Sequence, residues 1–157
     1  MAEKEVLAMA LEIERKFLVD AKKIAALNLT GGEKISQGYL CTEPTVRVRT
    51  KGARAFLTVK SANDGLIRHE YEYEIPVADA VEMLKLCAPR TLEKTRYKIE
   101  HGGKIWELDI FEGRHAGLIL AEVELDSAEE KVELPEWIGA EVSDDERYYN
   151  SRLALDN

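Results

Sequence analysis

The stretch Leu11-Glu12-Ile13-Glu14-Arg15-Lys16-Phe17-Leu18-Val19 alternates with a period of two. Leu11, Ile13, Phe17 and Val19 fall on one face and Glu12, Glu14 and Lys16 on the other, the pattern of a half-buried strand. The same period recurs along the chain. Val46 and Val48 stand against Arg47 and Arg49, and Leu57 and Val59 against Thr58 and Lys60. Ile67, Tyr71, Tyr73 and Ile75 alternate with Arg68, Glu70, Glu72 and Glu74. Further on, Thr95, Tyr97 and Ile99 oppose Lys94, Arg96 and Lys98, and Trp106, Leu108 and Ile110 oppose Glu107 and Asp109. Ile119, Ala121, Val123 and Leu125 oppose Glu122, Glu124 and Asp126. Residues 34–41 form an eighth, less regular candidate. An even number of strands suits an antiparallel closed barrel.

Helical signals are short. Val77, Val81, Leu84 and Ala88 recur at helical spacing until Pro89 stops them. Asp20 suits the cap of a helix carrying Ile24 and Leu27, while Ser127 with Glu130 and Ser143 with Glu146 have capping-box spacing. Gly31-Gly32, Asn63-Asp64-Gly65 and Gly102-Gly103 read as turns. No linker or low-complexity segment divides the 157 residues, so residues 1–157 read as a single domain.

Composition narrows the function. With 22 Lys+Arg against 30 Asp+Glu, a net charge of -8 and 45% hydrophobic residues, the chain has the balance of a folded, water-soluble protein. The acidic balance argues against a general nucleic-acid surface, though not against a local basic site. No apolar run approaches the ~20 residues of a membrane helix. Residues 1–11 lack the basic flank and apolar stretch of a secretory signal. Cys41 and Cys87 lie far apart without metal-ligand spacing. A cytoplasmic protein with two ordinary thiols and no membrane partner is the expectation.

The anomaly lies on the polar faces. A half-wet sheet ordinarily mixes Thr, Ser, Lys and Glu there. Here it is nearly all formal charge, sorted by strand: Glu12/Glu14, Arg47/Arg49, Glu70/Glu72, Lys94/Arg96, Glu107/Asp109 and Glu122/Glu124. A solvated face with cross-strand ion pairs is one account, each pair contributing only ~0.2–1 kcal/mol. The other closes the strands around a wet, charged bore that holds a polyanion with divalent metal. Sorting by sign favours the second, because a solubility face gains nothing from it.

Glu12-Ile13-Glu14-Arg15-Lys16 also fits an ExExK pattern near the N-terminus. Arg47-Val48-Arg49, Lys60, Glu70-Tyr71-Glu72, Lys94-Thr95-Arg96, Asp109 and Glu122-Val123-Glu124 follow in order. The series, over residues 12–155, resembles the CYTH family, also called triphosphate tunnel metalloenzymes. ExExK alone is a weak signal; the ordered set is a strong one. The resemblance implies a mainly β fold, an eight-stranded antiparallel closed barrel with a few short helices outside. It implies hydrolysis or cyclisation of triphosphates with Mg²⁺ or Mn²⁺.

By that resemblance Glu12, Glu14, Glu122 and Glu124 are the main metal ligands, their hard oxygens suiting either ion. Glu70, Glu72 and Asp109 are candidates for a second metal or for orienting water, the alternative being ion pairing across the lumen. Arg47, Arg49, Lys60, Lys94 and Arg96 resemble the phosphate clamp, with Arg68 on the same face. Arg114 and Arg152 are further contacts for which surface placement is the plainer reading. Some members pair the signature lysine with a tyrosine at the attacking water, which points to Lys16 and Tyr39; a lumen-wall tyrosine is the duller alternative. His69, on an apolar face, and His101, beside a glycine turn, are poor catalytic candidates. Phe17, Trp106 and Tyr71 read as packing residues on the outer face, under helices or a subunit contact.

The resemblance implies a triphosphatase, with inorganic tripolyphosphate as the preferred small triphosphate, because no aromatic box is evident for a base or thiazolium ring. A class IV-type adenylate cyclase and a thiamine triphosphatase are rivals on the same fold. A non-catalytic polyphosphate or nucleotide binder is the rival from another class, and the retention of both ExE pairs counts against it. An apolar outer wall with few helices also leaves a homodimer open.

Overall fold

The computed structural model describes residues 11–155. The reading of residues 1–11 as lacking a signal therefore falls, apart from Leu11, outside the described residues. Nine strands are formed: β1 (Leu11–Val19), β2 (Glu33–Thr42), β3 (Thr45–Lys51), β4 (Arg54–Lys60), β5 (Ile67–Ile75), β6 (Thr91–His101), β7 (Lys104–Phe111), β8 (Ile119–Glu124) and β9 (Ile138–Glu141). Three short helices accompany them: α1 (Ala21–Ile24), α2 (Val77–Cys87) and α3 (Asn150–Leu155). No helix among them is long and apolar enough to cross a membrane.

The first eight strands close into an antiparallel ring in the order β1-β5-β4-β3-β2-β6-β7-β8, with β8 returning to β1. Closure falls on β1, which pairs with β8 from Glu14 to Leu18 and with β5 only from Leu11 to Ile13. Past that seam the same edge of β1 takes β9, through Phe17↔Glu141 and Val19↔Ile138. This ninth strand was not expected: four residues around Gly139 carry no usable period. The glycine is required there, because a Cβ would stand 2.6 Å from the Leu18 carbonyl oxygen.

Alternation puts the apolar faces outside. Phe17, Trp106, Leu108, Ala121 and Val123 form one core, covered by Ile24 of α1 and by Leu125 and Trp137. The Trp106 ring lies 5.6 Å from Phe17 and 6.0 Å from Trp137. Val48 and Ala55 form another core, beneath Ala80. The spacing argument places the α2 stripe only in part: Leu84 packs against this core, but Val77 and Val81 are 41% and 45% exposed, and Ala80 and Cys87 are buried in their stead. Small residues win because the helix rides close over β2, where a Cβ on Gly38 would be 2.6 Å from the Cys87 Cβ.

Asp20 caps α1, accepting from the Lys22 amide at 2.9 Å. Neither capping box forms. Ser127 starts no helix, because the Glu130 carboxylate turns back to the Asp126 amide and to Lys104. Ser143 instead accepts from the Lys16 amide and donates to Glu141, while Asp145 caps a short 3₁₀ turn. The expected glycine turns hold: Gly65, Gly102 and Gly103 all have positive φ.

A third apolar cluster lies inside the barrel at one end. Leu18, Tyr39, Leu92, Phe111 and Leu120 meet Val142, Leu153 and Ala154. The C-terminal helix is thereby seated in that end of the bore. Arg114 holds it from outside by donating to the carbonyls of Thr91 and Ala154, so this arginine anchors structure there.

Candidate active site

The alternation that buries Phe17 and Trp106 outside turns Glu12, Glu14 and Lys16 inward. The ladders extend that inward face. Glu14 is in register with Glu124 and Lys16 with Glu122 across β1–β8; Arg47 pairs with Thr58 and Lys60 with Glu70 across β3–β4–β5. Around the ring β3 lies four strands from β8, and β2 four from β1. The acidic β8 and β1 thus look across the bore at β3 and β2, and the cationic side is made by Arg47 and Arg49 of β3 with Lys94 and Arg96 of β6, on either side of β2. The result is a cavity of about 250 Å³.

Every site residue expected from the sequence lines this cavity except Asp109. That carboxylate is buried behind it, 2.7 Å from the Lys94 ammonium and joined by both oxygens to Arg96 at 2.7 and 2.8 Å. Glu70, Glu72 and Asp109 do ion-pair, but along the wall with neighbouring strands and not across the lumen: Lys60↔Glu70 and Arg96↔Asp109 are register partners. Glu70 lies 2.9 Å from Lys60, and Glu72 3.4 Å from both Arg47 and Arg49. Thr58 steadies Glu72 by donating to it at 2.9 Å. Arg68 reaches inward to Glu12 at 3.1 Å.

Residues the sequence reading missed include Lys51, Glu107, Ser143, Tyr149 and Asn150. Lys51 and Glu107 continue the period-two faces of Arg47/Arg49 and Asp109, a signal that was available. Tyr149 and Asn150 carry none, since only the seating of the C-terminal segment brings them in. Asn150 accepts from Lys94 at 2.9 Å, and the Tyr148 carbonyl accepts from Lys16 at 3.0 Å.

Charges so crowded shift one another. Burial drives Glu14 up to about 8, helped by Glu122 and Glu12; it has no salt bridge among the described residues. Burial acts on Glu12 too, but Lys60 and Arg68 hold its carboxyl at about 2. Against the same penalty Lys16, Arg96 and Lys94 keep Glu122 well below the carboxylate range. Burial raises Glu124, as do Glu107 and Glu12. On the opposite wall burial presses Lys94 down to about 8, and burial beside Arg47 and Arg96 brings Arg49 down to about 10. Burial lifts the Tyr39 phenol.

The two walls demand different counter-ions. Buried Nε atoms of Arg47 and Arg49 have no hydrogen-bond partner among the described residues, and guanidinium donors of this kind suit phosphate oxygens. Glu12, Glu14, Glu122 and Glu124 are hard oxygen donors, the chemistry of a divalent cation. Among the described residues no three acids converge closely enough to grip an ion as they stand; Glu12 is drawn to Lys60 and Arg68, and Glu122 to Lys16. The donor set fits; seating an ion requires those lysine contacts to loosen.

Comparison with known proteins agrees with this geometry. A family model described as CYTH domain matches residues 10–151. The chain is 44% identical over 148 residues to an inorganic triphosphatase of Acetivibrio thermocellus, spanning 92% of this chain and 94% of that one. It is 40% identical over 151 residues to an inorganic triphosphatase of Nitrosomonas europaea, at 92% and 97% coverage. The crystal structure of the inorganic triphosphatase NE1496 superposes with a TM-score of 0.65 at 37% identity, covering 93% of this chain and 95% of that one.

Proposed function

This chain belongs to the CYTH domain family, and from that premise we propose that it is a metal-dependent triphosphatase acting on inorganic tripolyphosphate. The observation that carries the reading is a cavity that brings the cationic side chains together with Glu12, Glu14, Glu122 and Glu124. In the reaction a water oxygen attacks the terminal phosphorus, the bridging P–O bond breaks, and pyrophosphate leaves with orthophosphate as the second product. Arg47, Arg49, Lys60, Arg68, Lys94 and Arg96 bind and orient the phosphate oxygens and offset charge in the transition state. Two of the relatives named above are inorganic triphosphatases.

Glu12, Glu14, Glu122 and Glu124 would hold Mg²⁺ or Mn²⁺. When bound, such an ion offsets phosphate charge and draws the phosphoryl oxygens into line. Tyr39 and Lys16 are assigned to the attacking water, with the Tyr39 hydroxyl as hydrogen-bonding group and Lys16 as its cationic neighbour. Asp109 and Glu72 position the clamp by pairing with it. Among the described residues the apolar side chains lining the cavity are Leu66 and the rings of Tyr39 and Tyr149, and Tyr39 is packed into the apolar end. That supports a bare condensed phosphate over a nucleotide or thiamine ester.

Incubating the purified chain with Mg²⁺ or Mn²⁺ and tripolyphosphate, ATP or thiamine triphosphate tests the reading. Phosphate and pyrophosphate from tripolyphosphate are expected in excess of all other products. Dominant cyclic AMP would make it a cyclase, and tight binding without turnover a binder. A cytoplasmic site of action belongs to the same reading. So does a homodimer, supported by Tyr71 and Tyr73 on the outer face of β5, which are themselves 44% and 62% exposed; sedimentation equilibrium measures it.

A further inference from the structure

Gln37 is fully buried on the inner face of β2, a strand that contributes no charge to the middle of the bore. Its register partners are Arg49 on β3 and Leu92 on β6. Two residues along the same face stands Tyr39, itself 2% exposed, with its ring among the apolar residues at the closed end and its side chain lining the cavity. The Gln37 Nε2 donates to the Tyr39 hydroxyl oxygen at 2.9 Å. An uncharged amide buried in a bore of ions is costly unless it is used.

A phenol oxygen has one proton to give and lone pairs to receive with. Occupying a lone pair from the Gln37 side leaves the hydroxyl hydrogen to point into the cavity. The cationic surroundings favour this orientation of the amide. Arg49 is the neighbour in register, and a guanidinium repels the N–H end of an amide more than its oxygen; the Gln37 Oε1 makes no hydrogen bond among the described residues, so the contact to Tyr39 is the one the amide makes. The same N–H also stabilises the oxygen whenever Tyr39 gives up its proton.

We propose that Gln37 is a positioning residue, fixing the Tyr39 hydroxyl as a donor aimed at the water or phosphate oxygen in the bore. It acts through Tyr39 and does not itself touch substrate. The assignment rests on the triphosphatase reading.

The test is a double-mutant cycle on tripolyphosphate hydrolysis with saturating Mn²⁺. Gln37→Leu should lower kcat about tenfold, the worth of one oriented hydrogen bond, with KM within about threefold. Gln37→Glu keeps the size but accepts from the phenol, turning its proton away, and should lower kcat further. In a Tyr39→Phe background Gln37→Leu should cost less than about twofold. Equal losses in both backgrounds, a change confined to KM, or wild-type turnover in Gln37→Glu would overturn the assignment while the triphosphatase reading stands. A wild-type chain that hydrolyses no triphosphate would overturn both.

Discussion

Lys16 and Glu122 are register partners on β1 and β8, and the lysine ammonium stands 3.4 Å from the carboxylate. The pairing divides the acidic wall into unequal halves. Glu122 is kept ionised by Lys16, while burial drives Glu14, one strand over and without a salt bridge among the described residues, up towards neutrality. If Glu122 and Glu14 hold the divalent cation as proposed, one would offer it a carboxylate already charged and the other would have to give up a proton to it. Glu122→Gln should therefore leave the fold intact, with an unchanged circular dichroism spectrum. Turnover should fall at least about a hundredfold, and half-activation should need at least about tenfold more Mg²⁺ or Mn²⁺, the scale seen when metal-site residues are altered. An unaltered activation curve removes Glu122 from the ligand set.

Arg49 stands on the other wall, buried, with its Nε unpartnered and Glu72 at 3.4 Å. Glu72 keeps Arg47 and Thr58 if Arg49 is lost, so the barrel tolerates the change. Arg49→Ala should raise the KM for tripolyphosphate about 10- to 100-fold through one lost charge-assisted contact. The metal concentration for half-activation should move by less than about twofold. The two titrations separate the walls: equal shifts in both would show that phosphate and metal are not held apart as proposed.

Much of this barrel was legible because a closed sheet with a charged lumen writes its topology into a period of two. Glu12/Glu14 and Arg47/Arg49 announced their face before any pairing was known, and the ring order then set acids against bases. What escaped depends on backbone proximity. The β9 strand exists because Gly139 lets its chain approach Leu18, and nothing in Ile138–Glu141 repeats. The α2 stripe holds only in part: Leu84 packs on the sheet, but Val77 and Val81 stay exposed, because the helix approaches β2 through Ala80 and Cys87. Asn150 and Tyr149 enter the cavity through the docking of a helix whose own sequence carries no site pattern.

That closeness yields a stability prediction away from the bore. A methyl group on Gly38 would lie 2.6 Å from the Cys87 Cβ and 3.1 Å from the Thr91 Cγ2. Gly38→Ala should lower unfolding free energy by about 1–3 kcal/mol, the usual cost of overpacking. Cys87→Ala should give no relief, because the clash is with the Cβ it retains. Cys87→Gly in the Gly38→Ala background should recover part of the loss, although glycine in α2 costs up to about 1 kcal/mol. Urea denaturation of the four chains measures this, and a neutral Gly38→Ala would mean that α2 can lift off β2 freely.

Glu14 makes metal-free stability depend on pH in an unusual direction. Folded, it keeps its proton up to about 8, against an ordinary value of 4.5. Between those limits the native state binds more protons than the unfolded chain, so this group's contribution to stability falls as pH rises. Glu124 and Glu70 are raised too and act with the same sign. Opposing groups work outside this window. Glu12, at about 2, weakens the fold only as pH drops below the ordinary carboxylate range, and Lys94, at about 8, adds stability only as pH climbs beyond that value. In EDTA, Tm should thus decline from pH 5 to pH 8, by roughly 5 °C or more. Glu14→Gln should flatten most of that decline, with the shallower slope from Glu124 and Glu70 remaining. Bound as proposed, Mn²⁺ would take the place of the Glu14 proton and should raise the wild-type Tm more at pH 8 than at pH 5. Parallel profiles for wild type and Glu14→Gln would mean that the Glu14 carboxyl is already relieved by solvent, and that the acidic wall is wetter than its burial implies.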